Sequence, residues 1–169
     1  LYIYGVESDV ADYTAAADKI LINNVEAKAP VASGDPANPT MKGEIELNNP
    51  AITSGNPEPF FYPVDNTTYD FYGYYIGNAT AADPAVAATK ISRVVTIDGS
   101  QDIMLAMADK KADVEEMGAG KVLPVQAYSA YSARRNVIPN LKFNHVLTRF
   151  NFFIKAGAAS GEDVKGKDI

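Results

Sequence analysis

Cysteine is absent from this chain of 169 residues, and histidine occurs once, as His145. Without cysteine the fold has no disulfides, and thiolate catalysis and cysteine-ligated zinc or iron–sulfur sites are excluded. Any serine–histidine–aspartate triad or histidine metal site would have to use His145. No apolar run approaches the roughly 18 residues that a membrane-spanning helix needs. The absence of cysteine fits both the cytosol and an exported protein.

Positive charge is also scarce. Fifteen Lys and Arg residues stand against 21 Asp and Glu, which gives a formal net charge of −6. Nucleic acids and anionic membrane surfaces bind proteins through Lys and Arg, so this balance argues against both as partners. A hydrophobic content of 47% and a charged content of 21% are typical of a globular domain with a real core.

Short apolar segments alternate with loops along the chain. Aromatic and β-branched residues predict strands at positions 1–6, 20–28 (edge-like), 44–47, 93–97 and 122–130. Proline-broken or small-residue loops are predicted at 29–40, 48–59 and 78–89. Asp98-Gly99 is a hairpin-type turn signal. About seven to eight short strands without strand–helix alternation predict an all-β sandwich with long loops.

The densest aromatic segment is Tyr69–Ile76, YDFYGYYI. One face of a strand here would carry Tyr69, Phe71 and Tyr75, and the other face Tyr72, Tyr74 and Ile76. Because both faces are largely apolar, we expect a central strand of the sandwich or a strand that lines an interface.

The stretch 141–156, LKFNHVLTRFNFFIKA, changes its period partway. Phe143, Val146, Leu147 and Phe150 have helical spacing, whereas Phe150, Phe152 and Ile154 alternate as in a strand. We therefore predict a short helical or bent entry into a half-buried strand. Five side chains of this stretch are predicted to be core residues: Phe143, Leu147, Phe150, Phe152 and Ile154.

The string F-x-H-x-L-x-R-F-x-F-x-I in this stretch resembles the fimbrillin-like proteins of Bacteroidetes surface fimbriae. Two further stretches look like the same family in the same order: FFYPVDNTTYDFYGYY at 60–75 and IDGSQDIMLAMA at 97–108. The resemblance implies transthyretin-like β-sandwich domains, exported as lipoproteins, that polymerise into pili or serve as accessory adhesins on the outer membrane. The family-motif residues with an implied structural role are Tyr69, Phe71, Tyr72, Asp102, Phe143, His145, Leu147, Phe150 and Phe152.

The resemblance also decides an ambiguous segment. Residues 102–117 satisfy a helix template, with Ile103, Met104 and Met107 on one face. The family pattern instead implies a short strand at 102–108, followed by a mobile loop over 110–121, and we adopt that interpretation. Asp102 would then lie beside His145, and we expect the two to form a buried pair.

Domain boundaries follow from the same resemblance. We expect an N-terminal sandwich domain over 1–157, and a linker or first strand toward a second domain over 158–169. Leu1 fits a proteolytically processed end or a trimmed boundary. If an upstream strand has been removed, a shallow apolar trough should lie open between the two sheets.

The remaining motifs do not supply a catalytic site. Gly118-Ala119-Gly120-Lys121 resembles the end of a phosphate-binding loop, but Glu115 replaces its first glycine and Val122 its magnesium-binding hydroxyl. The paired carboxylates lie in hydrophilic runs, where solvated charges are typical. We therefore predict a protein that is not an enzyme and has no cofactor or metal.

Two functions remain open. The first is a structural subunit of a cell-surface fimbria, which binds other fimbrial subunits by strand donation and supports adhesion. The second is a tip or accessory adhesin, or a surface glycan-binding lipoprotein, that binds host or bacterial surface ligands and does not polymerise. Tyrosines of the aromatic segment could stack on sugars in that second case.

Overall fold

The computed structural model describes residues 1–14, 17–28, 43, 45–47, 60–117 and 122–147. Ten strands lie in these residues: β1 Tyr2–Glu7, β2 Ile20–Lys28, β3 Glu46–Leu47, β4 Tyr69–Tyr75, β5 Thr80–Ala81, β6 Ala85–Ala87, β7 Lys90–Ser92, β8 Val95–Thr96, β9 Met104–Met107 and β10 Asn144–His145. The helical elements of the same residues are α1 Lys110–Glu116, α2 Ala130–Ala133 and 3₁₀ turns at Ala17–Lys19 and Pro124–Gln126.

The predicted all-β class is confirmed. Six strands form one antiparallel sheet in the order β10-β9-β4-β1-β2-β3, and β5–β8 and β6–β7 form two small antiparallel sheets. This arrangement is consistent with a sandwich. The described strands number ten rather than seven or eight because the small sheets are built from strands of two or three residues.

The aromatic strand is central, as predicted. β4 lies between β1 and β9, with Tyr2 opposite Tyr74 and Gly5 opposite Phe71. A side chain on Gly5 could not be accommodated, because its Cβ would lie 2.8 Å from the Phe71 ring. β2 was predicted as edge-like, and among the described residues it pairs with β1 on one side and with the two-residue β3 on the other.

The hydrophobic core lies on one face of the six-stranded sheet. Ile3, Val25 and Phe71 from the strands are each at most 5% exposed. Against them packs the segment after β9, whose Tyr128 and Val137 are fully buried. We call this side the covered face. Its ring packing is close, since Phe71 meets Tyr128 edge-on at 5.6 Å between centroids.

The covering segment corrects two predictions. The predicted mobile loop over 110–121 contains α1, and residues 118–121 lie outside the description. Asp109 caps this helix, because its Oδ1 accepts hydrogen bonds from the backbone N–H groups of Lys111 and Ala112. The predicted strand at 122–130 is instead a 3₁₀ turn followed by the start of α2. Ser129 caps α2, and its hydroxyl accepts from the N–H of Ser132.

A buried polar cluster joins α1 to the later part of this covering segment. Asp113 of α1 is 3% exposed, and its Oδ2 accepts hydrogen bonds from the Tyr128 hydroxyl at 2.6 Å and the Asn140 N–H at 2.8 Å. Burial and the hydrogen bond to Asp113 raise the pKa of Tyr128 well above its usual value. The tyrosine is therefore held neutral as the donor.

Two further predictions on loops and turns need correction. The predicted small-residue loop at 78–89 contains β5 and β6, because backbone pairing in a hairpin edge does not require large side chains. Asp98-Gly99 does form a turn, in which Asp98 Oδ1 accepts from the Ser100 N–H and Gly99 has φ +92°. The turn does not close a hairpin, since β8 pairs with β5 and not with β9.

The predicted strand at 102–108 is confirmed as β9. Of the predicted helical or bent entry of the stretch 141–156, the helical alternative is wrong in the described part, because Asn144–His145 forms β10 beside β9, with Asn144 opposite Leu105. The available edge of β9 overrides the helical spacing of the apolar residues.

Candidate functional site

The opposite face of the six-stranded sheet borders an open cleft of about 1090 Å³. Its floor is made by β4, β9 and β1, and its other wall by the small sheets. We call this cleft the groove. It agrees with the predicted trough between two sheets.

The floor of the groove is organised in rows across the sheet. The first row runs through Tyr2, Tyr74, Leu105 and Asn144, which are consecutive partners across four strands. A second row runs through Tyr4, Tyr72 and Met107.

β9 supplies the exposed apolar part of this floor. Leu105 is 52% exposed and Met107 61% exposed, although β9 lies inside the sheet. Val146, beyond β10, also lines the groove and is 53% exposed. Neighbouring exposed apolar side chains of this kind are typical of a surface that another chain or ligand covers.

The opposite wall comes from the segment 84–95, of which the sequence placed Pro84 in a loop and Val95 in a strand. Pro84, Ile91 and Val95 line it from the small sheets. The small sheet β6–β7 is held to the rest of the chain by a hydrogen bond from the Tyr13 N–H to the Ala88 carbonyl at 2.9 Å. The wall thus combines apolar side chains with the polar and charged side chains of Thr89, Lys90, Ser92 and Arg93.

An arginine–tyrosine cluster closes one side of the groove. Arg93 lies 5.0 Å from the ring centroid of Tyr2 and 5.5 Å from that of Tyr74, and these two rings stack at 5.1 Å. Arg93 Nη1 donates to the Tyr74 hydroxyl, which donates to Asn24 Oδ1. Arg93 Nε donates to the Ala82 carbonyl at 2.9 Å. The guanidinium is therefore fixed in position.

The electrostatics of the groove differ from those of the whole chain. Lys90, Arg93 and Lys142 line it, and among the described residues of its lining there is no Asp or Glu. Burial raises the pKa of Tyr4, on the floor, to about 12. The tyrosine hydroxyls of the floor hence add no negative charge at neutral pH.

His145 and Asp102 lie together, as predicted. His145 Nδ1 is 2.7 Å from Asp102 Oδ1, which confirms the contact. The expected burial is wrong, since the two side chains are 65% and 49% exposed. The pair lies at the sheet edge because β10 ends where β9 begins, and edge positions stay open to water. Among the described residues, no serine or threonine hydroxyl is hydrogen-bonded to this pair.

The other family-motif residues differ in where they lie. Tyr69 and Phe71 are buried on the covered face, and Tyr72 lies on the groove floor. Phe143 is half-buried, packs against the core and would block a Cβ on Gly73. Leu147 is 36% exposed, so its predicted core position is wrong. Phe150 and Phe152, like Ile154, lie outside the described residues.

Sequence reasoning missed the main parts of the arginine–tyrosine cluster. The alternation of Tyr2 and Tyr4 was a signal that one face of β1 is aromatic. Nothing in the sequence pointed to Arg93 or Asn24, because their partners are far away along the chain.

We compared the chain with protein-family models, curated proteins and solved structures, and none of them matches it. Within the described ranges, no group of three or more His, Asp or Glu residues could hold a metal ion. Nor does any helix of these ranges have the length and apolar character needed to cross a membrane.

Proposed function

We propose that the protein is a non-enzymatic structural subunit of a cell-surface fimbria, assembled by strand donation between subunits and supporting adhesion. In this mode an extended segment of one subunit occupies the groove of the next. The chain would then be an exported protein of the outer membrane or fimbrium, with a transthyretin-like sandwich. The resemblance of three stretches to fimbrillin-like proteins suggests this function.

The observation that carries the proposal is the open groove. It lies between the six-stranded sheet and the small sheets, and Leu105 and Met107 are more than half exposed on its floor. An incoming strand would remove these side chains from water, at about 25 cal/mol per Å² of apolar surface. Alternate side chains of the strand would fill the groove, as in other strand-addition complexes.

Electron microscopy of the full-length protein, after removal of any leading segment, tests the proposal. We expect filaments, and we expect Met107→Asp to abolish them because the change puts a charge on the groove floor. Val125→Asp is the matched control, since Val125 is 75% exposed and does not line the groove. Monomers alone, or filaments that persist in a folded Met107→Asp variant, would contradict the proposal.

A second candidate function is a glycan-binding adhesin or lipoprotein that does not polymerise. Tyr13 and Tyr72 line the groove and are partly exposed, and aromatic rings can stack on sugars. This function predicts saturable binding of a glycan by the monomer, and loss of that binding in Tyr72→Ala. If the protein forms filaments and the glycan inhibits their assembly by occupying the groove, the first candidate function is favoured.

A further inference from the structure

We infer that the groove is built for an extended segment that carries carboxylates beside its apolar side chains. This inference rests on the proposed strand donation and names the chemistry of the donor. An acidic, apolar strand from another subunit is thus the occupant that the groove fits.

The first argument is the reversal of charge. The chain has 21 acidic and 15 basic residues, so a random stretch of its surface is more often acidic than basic. Lys90, Arg93 and Lys142 line the groove, and none of the described residues in its lining is Asp or Glu; the carboxylate of Asp102 contacts the lining residue His145. A positive field in an apolar groove attracts a partner of negative charge and disfavours a basic one.

The second argument is the state of Arg93. Its recorded partners in the described part of the chain are a carbonyl and tyrosines, all uncharged, and none is a carboxylate. An apolar strand laid over this guanidinium would strip it of water without compensation, which is costly. A carboxylate on the incoming strand would compensate the loss with a charge-assisted hydrogen bond.

The third argument is the placement of the cations around the apolar floor. Arg93 lies over the rings of Tyr2 and Tyr74, on β1 and β4. Lys142 precedes Asn144 by two residues and lines the opposite side of the groove, near β10. Leu105 and Met107 of β9 lie between these two sides. Acidic residues are therefore expected on both sides of the donor's apolar residues.

Peptide binding to the full-length protein tests the inference. Three peptides of about ten residues, the length of a long strand, alternate valine with aspartate, with serine or with lysine. We expect the aspartate peptide to bind about tenfold more tightly than the serine peptide, and the lysine peptide most weakly. The advantage of aspartate should shrink at about 1 M salt, where the Debye length is about 3 Å.

Variants of the basic residues show which of them cause the preference for the aspartate peptide. Arg93→Gln and Lys142→Gln should each reduce the advantage of the aspartate peptide over the serine peptide severalfold. Arg135→Gln is the matched control and should not change this advantage, because Arg135 lies outside the groove and packs on Tyr131. The Lys142 variant serves if the Arg93 variant does not fold, since Arg93 also holds Tyr74.

The outcomes separate the two proposals. Equal binding of the aspartate and serine peptides would overturn the acidic donor and leave strand donation intact. Tighter binding of the lysine peptide would overturn it as well. Binding of none of the peptides, by a folded protein, would overturn both proposals. Binding of polyglucuronate but no peptide would replace the donor strand by an acidic glycan.

Discussion

The two faces of the six-stranded sheet are made by the same strands, but their apolar side chains differ in exposure to water. On the covered face, Phe71 is 5% exposed and Tyr128, which packs on it, is fully buried. On the groove face, Leu105 and Met107 are 52% and 61% exposed. Alternation along each strand gives both faces apolar side chains. Among the described residues, the segment after β9 packs closely on the covered face, whereas the small sheets leave Leu105 and Met107 of the groove face more than half exposed.

This difference in exposure suggests that one face mainly stabilises the fold and the other mainly binds a partner. Burial on the covered face stabilises the fold, because those side chains leave water when the chain folds. Leu105 and Met107 on the groove floor stay more than half exposed in the fold, so they gain less from folding than buried side chains do and can gain more from binding. Changes on the covered face should therefore be measured as lost stability, and changes in the groove as lost association.

The largest expected effect is on the covered face. Phe71→Ala should lower the free energy of unfolding by about 3–5 kcal/mol, because it deletes a buried aromatic ring. Met107→Ala on the groove face should lower it by less than about 1 kcal/mol, since Met107 is already 61% exposed. Urea unfolding of both variants measures the contrast. Equal losses would mean that the two faces are equally buried in solution.

The next effect concerns the polar cluster of the covering segment. Asp113→Asn should cost about 2 kcal/mol, because it replaces the buried carboxyl that accepts two hydrogen bonds with an amide. Glu115→Gln, on the exposed side of the same helix, should stay within about 0.5 kcal/mol of the parent. Thermal unfolding of the two variants checks this. A cost for Glu115→Gln as large as that for Asp113→Asn would contradict the assigned role of the cluster.

Tyrosine ionisation provides a pH test that involves both faces. Burial raises the pKa of Tyr4 to about 12, and also raises the pKa values of Tyr62 and Tyr128. The folded state then holds these protons more tightly than the unfolded state, so stability falls as pH rises. The contribution should be complete below about pH 10 and decline as pH approaches 12. Denaturation midpoints across this range, with tyrosinate absorbance, measure it; a flat profile would contradict the burial.

The smallest expected effect is at the sheet edge. His145→Asn should change stability by less than about 1 kcal/mol, because His145 and Asp102 form a largely exposed pair. Asp102→Asn should have a similar small effect, and the double variant should show little coupling. A coupling well above 1 kcal/mol, from a double-mutant cycle, would indicate that the pair is buried in solution.

Strand positions were largely predictable from the sequence, and the coverage of the sheet was not. The period-two pattern of 69–76 predicted the central β4, since side chains on both of its faces are apolar. The helices of the covering segment were missed because α1 and α2 are short and have polar exposed sides. Both depend on N-cap residues, Asp109 and Ser129.

The candidate site was predictable only in part. A trough between two sheets was expected, and the contact of Asp102 with His145 followed from placing two family-like stretches side by side. Arg93 could not be found, because its role arises from Tyr2, Tyr74 and Ala82, which the fold brings to it. Long-range contacts of this kind leave no local pattern in a sequence.

Photo-crosslinking tests most directly whether the groove receives a strand from another subunit. A photoreactive residue replaces Met107 on the groove floor or, as control, Val125, which is 75% exposed and does not line the groove. In assembled protein, the Met107 position should form an adduct with a neighbouring chain, and the Val125 position should not. An adduct confined to one chain, or equal adducts from both positions, would contradict the account.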